Sequence, residues 1–232
     1  MNEFEKHVSR AFDDELTTLR SHVLEMGGLV EAQCLAATQA YTSGEISTVS
    51  DIVETDRKID VFQTLIEDEC AQVIAKRQPA ATDLRLILGV TKIVTDLERI
   101  GDEAKRIAKG ARRIHGEGPK SLPPHTADVR HIAKAAADMV RRSLDTFSRL
   151  DTEEARQIIR SDAEVDTEFK AVIRQLVTYM MEDPRTITTS IDIISIARAI
   201  ERIGDHAKNI AEHIIYIVEG RNNPPAFKES AS

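Results

Sequence analysis

A chain of 232 residues has room for one large domain or two small ones, and 41% hydrophobic residues are enough for a sizeable core. A formal charge of −8 without a Lys/Arg stripe argues against nucleic-acid binding. With 4% aromatics, 10 glycines, 7 prolines and no tryptophan, the composition favours long helices over sheets.

The first residues, MNEFEKHVSR, are polar and charged, unlike a secretory leader. The longest apolar runs, such as 214–218, are far too short to span a bilayer, so a cytoplasmic chain is expected. A first helix is predicted over 11–41, ending at Ser43-Gly44, and a second over 45–77. Cys34 and Cys70 fall in these two helices without metal-ligand spacing and read as reduced core thiols. Pro79 precedes a third helix over 80–114, whose Ile87, Val90, Val94, Leu97, Gly101, Ala104, Ala108 and Ala111 form an apolar stripe at three- and four-residue steps. Gly and Pro concentrate between Gly116 and Pro124, where a domain boundary belongs. A fourth helix is expected over 125–149. The fifth, over 151–181, opens on the acids of Asp151-Thr152-Glu153-Glu154, which suit a helix N-terminus. The sixth, over 185–219, follows Pro184, and the residues after Gly220 read as a frayed tail.

The two halves repeat each other. Glu98-Arg99-Ile100-Gly101-Asp102-Glu103-Ala104-Lys105-Arg106-Ile107-Ala108 returns as Glu201-Arg202-Ile203-Gly204-Asp205-His206-Ala207-Lys208-Asn209-Ile210-Ala211, identical at nine of eleven positions with an offset of 103. Asp56 and Asp60 on the second helix match Asp162 and Asp166 on the fifth, and Pro79 matches Pro184. The expected fold is therefore all-α, as two tandem three-helix bundles over 1–118 and 119–219, with a tail over 220–232. Gly inside a helix costs about 1 kcal/mol relative to Ala. Its retention at Gly101 and Gly204 points to close helix packing, in preference to a hinge.

The chain has five acidic i,i+4 pairs, no more than chance gives for 39 acids in 232 residues. Their positions are more informative. Asp60 with Glu98, and Asp56 with Asp102, average to residue 79, at the turn of an antiparallel hairpin. Asp166 with Glu201, and Asp162 with Asp205, average to 183.5, at the next such turn. Each hairpin thus brings four carboxylates level, on helices whose axes lie about 8–10 Å apart. One outcome is a cation site for Mg²⁺, Mn²⁺ or iron; Ca²⁺ is less favoured, as is Zn²⁺, which recruits His or Cys. The other is a solvated acidic face, with Asp102 paired to Arg106 and Asp166 to Lys170. A His ligand common to both halves is not expected, because His206 has Glu103 as its counterpart.

No nucleophile elbow, dinucleotide fingerprint, phosphate-binding loop or Glu-x-x-His di-iron motif is present, so the chain does not read as an enzyme. A metal-binding bundle with a redox, storage or hydrolytic role is the alternative, and a scaffold without any ion is a third.

The two ERIGD segments, the DxxxD on each second helix and the Pro79-Ala80-Ala81-Thr82-Asp83-Leu84-Arg85 stretch resemble the PhoU family over residues 3 to 219. That resemblance implies a cytoplasmic regulator of inorganic phosphate uptake that represses the phosphate regulon. It also implies an adaptor between the ATPase of a phosphate ABC transporter and a sensor histidine kinase, and a homodimer. In some members, E/DxxxD motifs hold metal clusters. Here they map to Asp56, Asp60, Glu98 and Asp102, and to Asp162, Asp166, Glu201 and Asp205. The second half departs from the pattern, with Thr186-Ile187-Thr188 in place of Asp83-Leu84-Arg85.

Overall fold

The structure is a computed structural model that describes residues 3–116 and 125–220, with side chains from residue 10 onward. Six α-helices run through the described residues: α1 (Glu3–Ser43), α2 (Val49–Arg77), α3 (Ala81–His115), α4 (Thr126–Arg149), α5 (Thr152–Glu182) and α6 (Ile187–Glu219). Short 3-10 turns precede α2 and α6. The boundary expected at 118/119 and the tail beyond Gly220 lie outside the described residues.

The helix ends follow local chemistry. Gly44 adopts φ +74° and stops α1, and Gly220 does the same for α6 at φ +70°. Asp151 caps α5, its Oδ1 accepting from the backbone N–H of Glu153 and Glu154 at 3.1 Å each. Gln78 and Leu150 take left-handed conformations after α2 and α4 although neither is glycine. Short 3-10 turns delay α2 and α6 by a few residues, and the start of α1 differs most from expectation. The apolar stripe of α1 begins near Phe12, yet the helix starts at Glu3, because no Gly or Pro interrupts residues 3–11.

Helices α1, α2 and α3 pack on one another, as do α4, α5 and α6. The most extensive seam joins the two groups, with α3 against α6, and α1 packs on α4 beside it. Helices α3 and α6 run antiparallel: Arg85 lies at the carbonyl of Ile217, Glu103 at Arg202 and Arg113 at Asp192. All eight residues of the predicted α3 stripe are buried, within one continuous apolar core that spans both groups. Cys34 and Cys70 are buried within it, and burial pushes both thiols up to about 12.

The glycines that permit the seam are not the repeated pair. A Cβ on Gly89 would lie 2.3 Å from Ile217 Cγ1, and one on Gly110 would lie 2.8 Å from Ile196 Cγ1. Gly101 is tight instead against Gln33 and Ile59 of its own bundle, at 3.1 and 3.2 Å. Gly204 has no such need, since a Cβ there would meet Val165 at an ordinary 3.5 Å. The expected close approach therefore holds for Gly101 and fails for Gly204.

Candidate functional site

Both acidic sets assemble on the faces of their hairpins. Asp56 of α2 is 5% exposed, and its counterpart Asp162 of α5 is 6% exposed. Each carboxylate turns inward to a lysine from the neighbouring helix. Lys105 Nζ donates to Asp56 and also to Asp102 Oδ1 at 2.6 Å. Lys208 Nζ donates to Asp162 Oδ2 at 2.7 Å. These lysines occupy matching places in the eleven-residue repeat, one turn beyond the ERIGD aspartate.

The remaining carboxylates sit around these anchors. Burial pushes Glu98 up, and the charges of Asp102 and Asp60 push it further. Asp60 is raised by burial and by Asp56. In the second half burial raises Glu201 and Asp205, helped by Asp205 on the first and Asp162 on the second, with Asp166 adding to both. Burial opposes the charge of Lys105, but hydrogen bonds to Asp102 and Asp56 outweigh it and hold the ammonium well above its usual range. Lys208 is raised chiefly by its hydrogen bond to Asp162. Glu98 thus feels the other three carboxylates of its set, Glu201 feels Asp205 and Asp166, and Asp205 feels Asp162 and Asp166; the bonded lysines leave each set short of neutral.

The donor chemistry suits a hard cation, being all oxygen. Among the described residues, however, no three carboxylate, imidazole or thiolate groups converge closely enough to hold an ion. The pairing expected between Asp102 and Arg106 does not form. Arg106 lies 3.3 Å from Glu103 instead, because an i,i+3 lysine reaches Asp102 first. Asp166 does pair with Lys170, at 3.8 Å.

Between the two sets, α3 and α6 leave a cleft of about 450 Å³. It is lined by positions 99, 102, 103 and 106 and by 202, 205, 206 and 209, which are related by the same offset of 103. The cleft thus lies on the pseudo-twofold axis of the duplication. Beneath it, buried Asp96 accepts from His206 Nδ1 at 2.8 Å, His213 Nε2 at 3.1 Å and Asn209 Nδ2 at 3.2 Å. Burial alone would push Asp96 up; these three donors outweigh it and hold the carboxyl below its usual range. Neither Asp96 nor His213 was legible in the repeat, since their counterparts are Ala199 and Gly110.

The family model of the PhoU domain matches residues 23–111 and 129–214. The chain belongs to the PhoU family. Each matched PhoU segment contains one ERIGD copy, one lysine anchor and one acidic set. The chain is 46% identical over 214 residues to the phosphate-specific transport system accessory protein PhoU homolog of Pseudomonas aeruginosa, covering 92% of this chain and 88% of that protein. It is 38% identical over 217 residues to the phosphate-specific transport system accessory protein PhoU of Escherichia coli, covering 94% and 89%. The crystal structure of PhoU from Pseudomonas aeruginosa superposes with a TM-score of 0.87 at 46% identity, over 90% of this chain and all of that one. PhoU from Streptococcus pneumoniae superposes at 0.83 with 26% identity, over 91% and 98%. The all-helical PhoU fold is thus shared over about 90% of the chain. No PhoU helix among the described residues is long and apolar enough to cross a membrane.

Proposed function

We propose that this chain is a cytoplasmic accessory protein of phosphate-specific transport. In this reading it holds the phosphate regulon off when phosphate is plentiful. The observation that carries the proposal is the match to transport accessory proteins over most of both chains, 92% of this chain matching 88% of the Pseudomonas aeruginosa relative. Regulation by contact is the role that fits a rigid helical body. The contacts expected are with the ATPase of a phosphate ABC transporter and with a sensor histidine kinase, as a homodimer. Deleting the protein is expected to derepress phosphate-starvation genes in phosphate-rich medium. Unchanged expression overturns the proposal. A pull-down in high phosphate tests the two partners individually.

The acidic sets are proposed as cation sites of this regulator. Asp56, Asp60, Glu98 and Asp102 would hold one group of ions, and Asp162, Asp166, Glu201 and Asp205 another. Mg²⁺, Mn²⁺ and iron suit these oxygens best, Ca²⁺ and Zn²⁺ less. A bound cation supplies the positive charge that one lysine leaves wanting. Lys105 and Lys208 stand where that charge is needed, so cation binding requires each ammonium to swing out. Elemental analysis of purified protein beside a variant with all eight carboxylates changed to alanine tests this. Equal metal content in the two would refute the sites.

A further inference from the structure

The eleven-residue repeat differs at only two positions, Glu103/His206 and Arg106/Asn209, and all four of these residues line the axial cleft. The halves have kept their packing residues alike and diverged where they face each other across open space.

The divergence has an electrostatic consequence. Arg202 reaches across the seam to Glu103 at 3.1 Å. The symmetry-related contact would join Arg99 to position 206, but that position holds a histidine turned toward Asp96. Arg99 is left without a hydrogen bond or ion pair among the described residues, apart from the field of adjacent Glu98. Glu103 is 6% exposed, and its two oxygens are unequal. Oε1 accepts from Arg202, whereas Oε2 lies 3.3 Å from Arg106 yet accepts no hydrogen bond. At the rim, Asp102 is bonded to Lys105 of its own set, and the charge of Lys208 acts on Asp205.

Guanidinium groups bind tetrahedral oxyanions through paired N–H donors. A buried acceptor beside them selects among such anions. It repels one whose oxygens are all bare and accepts a hydrogen bond from one that carries a hydroxyl. Phosphomonoesters have a second pKa of about 6, so part of the population carries that proton near neutrality, and inorganic phosphate behaves likewise. Sulfate carries none.

We propose that the axial cleft binds a singly protonated phosphate group. Arg99 and Arg202 take its anionic oxygens, and Glu103 Oε2 accepts from its P–OH. The group is either free inorganic phosphate or the terminus of a phosphomonoester, since the cleft admits both. The proposal stands on the cleft geometry and goes beyond the regulatory role. Deletion can fail to derepress genes while the cleft still binds, and the cleft can be silent in a working regulator.

Titration calorimetry of the full chain with inorganic phosphate, AMP and sulfate tests it. Arg99→Gln removes an exposed, unpaired side chain and leaves the fold intact, as circular dichroism will verify. Phosphate or AMP is expected to bind about ten-fold or more tightly than sulfate, the difference one hydrogen bond to a charged group supplies. Arg99→Gln is expected to weaken that binding by about ten-fold or more. Glu103→Gln is expected to narrow the gap between phosphate and sulfate. Binding of phosphate alone assigns the free anion, and binding of AMP alone assigns the ester; both uphold the site. No saturable binding of either, equal affinity for sulfate, or unchanged affinity in Arg99→Gln overturns it.

Discussion

Lys105 shows how much one side chain can change an acidic face. It ties Asp56 of α2 to Asp102 of α3, and without it four carboxylates would stand level with no cation among them. Lys105→Met is expected to lower stability by about 1–3 kcal/mol, the range for a hydrogen bond to a charged, partly buried group. Millimolar Mg²⁺ should restore part of that loss, and urea unfolding with and without the ion measures it. Glu98 and Glu201 act in the opposite sense. Their pKa values are raised, so the folded state holds their protons more tightly than the unfolded chain does. Stability then falls as pH rises from the ordinary value of 4.5 through the raised one, and the cost is complete above the raised value. Glu98→Gln with Glu201→Gln is expected to stabilise the protein at pH 7 by a few tenths of a kcal/mol per site, as for relief of like-charge pairs. The gain should vanish in melts below the ordinary value. The carboxylates themselves were legible in the sequence, because two hairpins independently levelled them. The lysines stood in the same repeated segment, but a search for acid spacing has no means of finding the base that anchors it.

At the scale of the helices, spacing and breakers located every element, and the misses have local causes. The ends expected at 77 and 149 hold, although Gln78 and Leu150 close these helices in a left-handed conformation that glycine more often supplies. The seam between α3 and α6 was hidden, since a stripe of apolar residues shows that a helix is buried but not against what. Its signature is Gly89 and Gly110, which lie 21 residues apart on α3 and have no counterpart in the repeated segment. The glycines separate cleanly by experiment. Gly89→Ala drives a methyl group into Ile217 and is expected to cost about 1–3 kcal/mol, as overpacking does. Gly204→Ala meets only ordinary contacts and is expected to be neutral or to stabilise by up to about 1 kcal/mol through helix propensity. Denaturant midpoints of the two variants provide the check. A loss at Gly204 equal to that at Gly89 would contradict the packing described.

For the molecule as a whole, one apolar core runs through both groups of helices and across the seam. Two independently stable bundles are therefore not expected. Calorimetry should show a single transition whose calorimetric and van't Hoff enthalpies agree. Two resolved transitions would mean that the seam is weaker than its burial implies. The duplication itself was plain in the sequence, whereas the way its copies face each other was not, because a tandem repeat is silent about the interface between its units. That interface constrains what the molecule could have been. A pair of identical subunits meeting along α3 would place the same residue on both sides of the axis. Each Glu103 would meet the other subunit's arginine, and every guanidinium on the axis would have its partner. A lone Asp96 bridged by two histidines from one side only would be forbidden. Joining the copies in one polypeptide lifts that obligation, because each copy can then mutate without its twin. The odd arginine at the axis is a freedom that belongs to covalent linkage, and no symmetric dimer of single repeats could possess it.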